Sequence, residues 1–339
     1  MASASLHILG LDNGALVPVD TRECGELADA MPDATHPDSA AHLLLSRSGK
    51  LYRVRVPLLQ RAPAVPRLLK LSCKVIQVAT GVDHLLLLVS GGRYAEPSIL
   101  VCGSNRSGQL GLESRADQPT PFPLQPRLTT CRKRGRYRGA IASIYCGPMR
   151  SAACTTSGGL LLWGAGAGAA DGSWLTTHGA FDGVHRALSV GLGKAHTAAV
   201  TSSGAVYWWG LHSLGSLEER VPRACEELAG HRIVSLVCNN ASTFALSDAG
   251  LLFRWGVVAG PGGGRLRDID FPVYLPMEPH RFVRLVLQRG TLARGAFSGR
   301  VFGVTEQLAL VPGELILLTV TCCANPANNL TCFPHIYFN

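Results

Sequence analysis

The 339-residue chain is 47% hydrophobic and 16% charged, with 38 Gly and 20 Pro, which excludes a disordered or coiled-coil chain and fits many short strands joined by tight turns. Its net charge of +9, carried by 27 Arg against 5 Lys, is local: residues 119–170 hold seven basic residues and no acid, and residues 281–300 hold five more. Neither an export signal at the start nor an apolar run of about 18 residues is present, so the expectation is an intracellular protein, cytoplasmic or nuclear, not secreted and with no membrane contact. The eleven cysteines, odd in number and scattered, are then expected as reduced and mostly buried thiols.

In chain order, the first expected element is a hairpin over residues 6–17 around Asn13-Gly14, since Asn-Gly between apolar runs favours a tight hairpin turn. A second follows over 41–54 around Ser48-Gly49, and a third over 75–103, stretched by the insert 90–98. Residues 113–140 form a long basic link rich in Pro and Arg, of which 119–127 has the composition of an exposed arm. Three close copies come next, 141–164, 187–210 and 233–256, each reading strand, turn, strand, Gly-rich turn, strand and each ending in Trp-Gly. Their final glycines, Gly164, Gly210 and Gly256, are 46 residues apart. A weaker copy spans 282–303 around Ser298-Gly299, and the apolar run 315–320 closes the series.

Seven such hairpins, none able to bury both faces alone, must pack face to face, and arrays of this kind curl into a ring. The expected architecture is therefore all-β, a single β-propeller of about seven blades occupying 1–339 as one domain. Pairing of the C-terminal strand with the incomplete first sheet is expected to close it, because an open ring exposes two sheet edges. The segment Val101-Cys102-Gly103-Ser104-Asn105-Arg106-Ser107-Gly108-Gln109-Leu110-Gly111 resembles the sheet end and following turn of regulator-of-chromosome-condensation (RCC-type) repeats. Residues 75–84 resemble the start of the same unit, and Ala195-His196-Thr197-Ala198-Ala199 its middle. The Gly-Gln-Leu-Gly turn occurs once, which identifies a degenerate member of that family.

Recurrence gives several residues a structural reading. Trp163, Trp209 and Trp255 are expected to fill the space between blades while the following glycines turn the chain, and His84 and His196, like His42, to make a repeated buried hydrogen bond. Gly103, Asn105, Gly108, Gln109 and Gly111 belong to the repeat turn. Cys322, Cys323, Cys332 and His335 lack zinc-knuckle spacing, and the sequence carries no nucleophile elbow, metalloprotease helix or phosphate loop, so neither catalytic residue, metal nor cofactor is expected.

The non-repeat feature is the run Arg132, Lys133, Arg134, Arg136 and Arg138, read as an exposed contact for an acidic protein surface or nucleic acid. The function expected is that of a monomeric, non-enzymatic interaction scaffold with another protein as partner. The resemblance implies two alternatives: guanine-nucleotide exchange on a small Ran-like GTPase, for which no contact residue transfers by position, and association with chromatin or nucleic acid through the basic link.

Overall fold

The structure, a computed structural model, describes residues 6–9, 16–35, 41–55, 63–135, 137–166, 176–177, 181, 186–211, 218–238, 242–259, 266–275, 282–291, 297–305 and 318–320. Strands β1 (Leu6–Leu9) and β2 (Leu16–Val19) make the first hairpin, a two-stranded sheet in which Leu9 faces Leu16. The first four-stranded sheet is β3 (Leu27–Pro32), β4 (Ala41–Ser46), β5 (Leu51–Arg55) and β6 (Arg67–Leu69). The second is β7 (Lys74–Thr80), β8 (His84–Gly91), β9 (Tyr94–Gly103) and β10 (Gln118–Pro123). After helix α1 (Gln125–Lys133) comes the third, β11 (Ile141–Cys146), β12 (Arg150–Thr155), β13 (Leu160–Gly164) and β14 (Thr176–Thr177). The fourth is β15 (Ala187–Leu192), β16 (His196–Thr201), β17 (Val206–Leu211) and β18 (Glu218–Ala224). The fifth is β19 (Ile233–Cys238), β20 (Ser242–Ser247), β21 (Leu252–Ala259) and β22 (Leu266–Leu275). A three-stranded sheet ends the series with β23 (Phe282–Thr291), β24 (Phe297–Thr305) and β25 (Leu318–Val320).

Every pairing within these sheets is antiparallel, and in each four-stranded sheet the strands follow in chain order from inner to outer edge. The inner strands neighbour one another in succession, β7 to β11, β15, β19 and β23, and β23 lies beside β3. With β7 beside β4 of the first sheet, that succession is a ring. The core sits between blades: Leu86, Ile99 and Leu110 of the second pack against Ile144, Ala153 and Trp163 of the third, all essentially inaccessible to water. The second strand of most blades is buried from end to end, as in β4, β12 and β20, because both of its faces meet a neighbouring sheet.

Three expectations need correction. The C-terminal strand does not close the ring on the first sheet: Val320 pairs with Val301, so β25 supplies partners to the outer edge of β24, and the ring closes by the packing of β23 beside β3. Ser298-Gly299 is no turn, since Gly299 and Ser298 stand opposite Arg289 and Gly290 inside the long β23–β24 ladder. The stretch 119–127 is not an arm. Its first half is β10, whose Gln118, Phe122 and Pro123 pair with Gly103, Val101 and Leu100, and prolines are tolerated there because an outer edge strand needs only alternate donors. The insert 90–98 lengthens its hairpin, with Val89 opposite Ser98 and Gly91 opposite Tyr94.

Candidate interaction site

The basic link folds around α1, which the run of charge concealed. Pro at the first helical positions presets the backbone, and Leu124, Leu128 and Cys131, spaced four and three apart, are buried against the second and third sheets. The Tyr137 hydroxyl donates to the Leu128 carbonyl at 3.0 Å and fastens the chain leaving the helix, and burial pushes its phenol up to about 12. Arg132 and Lys133 lie in the last turn and Arg134 caps it, where cations complement the carbonyl end of the helix dipole.

Arg132, Lys133, Arg134 and Arg138 are all exposed, and Arg136 lies outside the described residues. Arg132 is tied to Glu96 of the lengthened hairpin at 2.7 Å, a surface pair that orients the side chain more than it stabilises the fold. Lys133, Arg134 and Arg138 make no ion pair among the described residues, so their charge is available to a ligand. The spacing of Leu124, Leu128 and Cys131, four and three apart, is the signal that would have revealed this helix.

The repeat residues converge on a joint between the second and third blades. Asn105 is fully buried and accepts from the Leu110 backbone N–H at 2.9 Å, holding the turn in which Gly108 and Gly111 take positive φ. The turn presents the Gln109 carbonyl to the next blade, where it accepts from Ser151 Oγ at 2.7 Å and from Trp163 Nε1 at 2.9 Å. Trp209 packs near Phe181, with ring centroids 5.8 Å apart, and Trp255 is buried in the next joint. The glycines after these strands are required by close approach: a Cβ on Gly103 lies 2.3 Å from the Asp83 carbonyl oxygen, and one on Gly210 equally close to that of Ala195. Gly164 and Gly256 share the same positive φ.

His84 Nε2 reaches Ser151 Oγ across the joint at 3.1 Å, and His196 Nε2 reaches Thr243 Oγ1 at 3.1 Å. With Asp83 Oδ1 at 3.7 Å from His84 Nδ1, the first of these groups has the outline of an acid–base–nucleophile triad. It is not one that substrate can use. Both His84 and Ser151 have no exposed surface, and the hydroxyl proton goes to Gln109, so Nε2 must donate to the serine instead of removing its proton. Half-burial pushes the Asp83 carboxyl up, but hydrogen bonding and charge from His84, with help from Gln109 and Ser104, hold it below the ordinary value.

The histidine is not kept in every blade: Ser242 holds its position in the fifth sheet, opposite Gly256, and the third departs further. Arg150 occupies the position of His84 and His196, is almost fully buried, and donates through Nη1 to the His196 carbonyl at 3.1 Å. Its Nε and the neighbouring Thr197 Oγ1 find no hydrogen-bond partner among the described residues, and burial pulls the guanidinium down to about 10. The eight described cysteines form no disulfide with one another; burial pushes Cys154 up to about 12, and burial with the nearby Glu227 does the same to Cys225, so neither is a reactive thiolate. No cluster of three metal-ligating side chains occurs among the described residues, Cys322, Cys323, Cys332 and His335 lying outside them. Nor is any described helix long and apolar enough to cross a membrane.

A ring of antiparallel sheets stitched by this turn, histidine and tryptophan geometry is a β-propeller. Solved structures similar to it include human WBSCR16, with a TM-score of 0.63, 17% identity and coverage of 91% of this chain and 79% of that one. Yeast RCC1 (Prp20) bound to Kap60 has a TM-score of 0.56 at 17% identity, over 78% of this chain and 64% of that one. Prp20p from Saccharomyces cerevisiae, whose structure was described with its binding properties to Gsp1p and histones, has a TM-score of 0.55 at 16% identity, over 78% and 67%. No family model matches the sequence.

Proposed function

We propose that the chain, acting as one intracellular propeller domain, is a non-catalytic interaction scaffold that docks an acidic protein surface on the basic end of α1. The observation that carries this is the exposed, unpaired charge of Lys133, Arg134 and Arg138 on an element anchored by Leu124, Leu128 and Tyr137. A rigid mount reduces the ordering cost that a flexible basic loop incurs on binding.

The test compares wild type with a variant in which Arg132, Lys133, Arg134, Arg136 and Arg138 are all Ala, using purified chain and an acidic protein partner recovered by affinity capture. Binding should weaken through a slower, salt-sensitive association, with little change in dissociation. Retention of wild-type partners, salt dependence and cellular distribution overturns the reading. A duplex nucleic acid that binds with a log–log salt slope of roughly −4 would instead mark four or five neutralised phosphates, and a nucleic-acid function.

Exchange on a small Ran-like GTPase is the second reading. Likeness of fold to Prp20p, described with binding to Gsp1p, supports it. A stoichiometric nucleotide-free complex with a small GTPase would establish it over the scaffold.

A further inference from the structure

The inner strands of all six multi-stranded sheets break register at one repeat position. The ladder slips between Leu27 and Asp29, Val75 and Gln77, Ile141 and Ser143, Ala187 and Ser189, Ile233 and Ser235, and Phe282 and Arg284. Each slip is a β-bulge that leaves one extra residue unpaired and re-aims its side chain. In three blades that residue is large and apolar, and it stays in water: Ile76 is 48% exposed, Leu188 58% and Val234 48%, while Val75, Ile233 and Val190 beside them are buried. Each inner strand is unpaired on its free edge, so the bulges place a set of apolar side chains around the middle of the ring.

Two residues before each of these stand Lys74, at the first position of its strand, and Arg186 and Arg232, immediately before theirs, all exposed. Their stems are held. A glycine of the preceding blade, Gly49, Gly158 or Gly204, packs on each, at distances where an added Cβ lies 3.0 Å from Lys74 Cβ, 2.5 Å from Arg186 Cγ and 2.5 Å from Arg232 Cγ. The same glycines accept from the next backbone N–H, Val75 at 2.9 Å, Ala187 at 3.2 Å and Ile233 at 3.0 Å. With the stem pinned, the charged head is the part that projects. The third blade has Ala140 at this position, with Arg138 two residues before it; the first has Glu26, already answered by Arg47 at 3.2 Å. Asp248, in the turn beside Arg232, is a second exposed acid at this end.

Positive heads at the rim and apolar side chains one step inward are the complement of a single kind of ligand. We propose that this mouth of the ring, lined by Lys74, Arg186, Arg232, Ile76, Leu188 and Val234, binds an acidic peptide segment carrying a large apolar side chain, which enters the ring while its carboxylates meet the rim. This rests on the reading of the chain as a protein-binding propeller and names the chemistry of the partner. Nucleic acid satisfies the rim but not the apolar layer, and an uncharged apolar peptide satisfies only the inside.

The experiment uses the full chain as wild type and three variants: Lys74→Ser with Arg186→Ser and Arg232→Ser; Ile76→Ser with Leu188→Ser and Val234→Ser; and Arg132, Lys133, Arg134 and Arg138 all to Ala. Since the substituted side chains are exposed, each variant is expected to keep the wild-type circular dichroism and melting. The probes are a fluorescein-labelled Glu-rich peptide with a central Leu-Phe pair, the same peptide with Ser-Ser in place of the pair, and a labelled DNA duplex, titrated by anisotropy at low salt. The Leu-Phe peptide should bind wild type, lose about tenfold or more in affinity in each mouth variant, and bind about tenfold more tightly than the Ser-Ser peptide.

Unchanged binding in either mouth variant, or equal binding of the two peptides, overturns the proposal even if a variant fails to fold, since the peptide comparison needs wild type alone. Tighter binding of the duplex, lost in the rim variant and kept in the apolar one, makes the mouth a nucleic-acid surface instead. Loss of the Leu-Phe peptide in the link-helix variant alone also overturns it, and leaves the proposed function on α1 standing. Binding that survives that variant and fails in both mouth variants supports it, and moves the proposed function off α1.

Discussion

Replacing Arg150 by histidine tests how strongly the inter-blade ladder controls stability. The guanidinium is pulled from its ordinary value of 12.5 to about 10 by burial, a depression that corresponds to roughly 3 kcal/mol of cost for keeping the charge inside. Because the folded pKa is depressed, that cost is fully present below pH 10 and is relieved only as pH climbs from there toward 12.5. Arg150→His removes the charge at pH 8 and places a ring nitrogen where His84 and His196 reach the next blade, within range of the orphaned Thr197 hydroxyl. The new hydrogen bond contributes about 1 kcal/mol, and losing the charge-assisted bond to the His196 carbonyl costs about 2 kcal/mol. A net gain of about 2 kcal/mol raises Tm by roughly 3 °C for a chain of 339 residues. Differential scanning calorimetry at pH 8 and pH 5.5 is the assay. The gain should shrink at the lower pH, where the unfolded chain protonates the introduced imidazole while the buried one resists. A Tm that falls by several degrees at pH 8, with circular dichroism unchanged, refutes the reasoning: the guanidinium would then be a net-stabilising group.

Gly158→Ala should destabilise by about 2–4 kcal/mol in urea unfolding, because φ is +91° there and the new Cβ lies 2.5 Å from Arg186 Cγ. Trp163→Phe keeps the packing but removes the Nε1 donor to the Gln109 carbonyl, at an expected cost of about 1–2 kcal/mol in the same assay. The Tyr137 phenol is held above its unfolded value, so its contribution to docking α1 is present below pH 10 and is lost as pH rises through that value toward about 12; Tyr137→Phe should abolish this part of the alkaline loss measured by hydrogen exchange around Leu128. The purified chain should leave the rate of guanine-nucleotide release from Ran-like GTPases unchanged in a fluorescent-nucleotide assay.

Much of the blade was legible because it is written locally. The hairpins around Ser48-Gly49 and over 141–164, 187–210 and 233–256 form where turn glycines interrupt apolar runs, and the 46-residue spacing carries over into equivalent registers in the third, fourth and fifth sheets. The link was misread because charge dominates its composition, while three buried side chains, Leu124, Leu128 and Cys131, decide its conformation. The hairpin over 282–303 was misplaced because Ser-Gly resembles a turn, yet a ladder running from Phe282 to Thr291 absorbs the dipeptide into a strand.

What the sequence determined by itself is what recurs within one repeat: strand, turn and the places of Gly, Trp and His, all consequences of backbone freedom and apolar period acting over a few residues. What only the tertiary structure decided is what passes between repeats. The partner of β25, the carbonyl of Gln109 that serves Ser151 and Trp163, and the bulges that turn Ile76, Leu188 and Val234 outward above Lys74, Arg186 and Arg232 depend on how one sheet seats on the next. The contacts to the Gln109 carbonyl join residues 42 and 54 positions apart, and no pattern within a single repeat specifies them, because they arise only once packing has fixed the relative placement of neighbouring sheets.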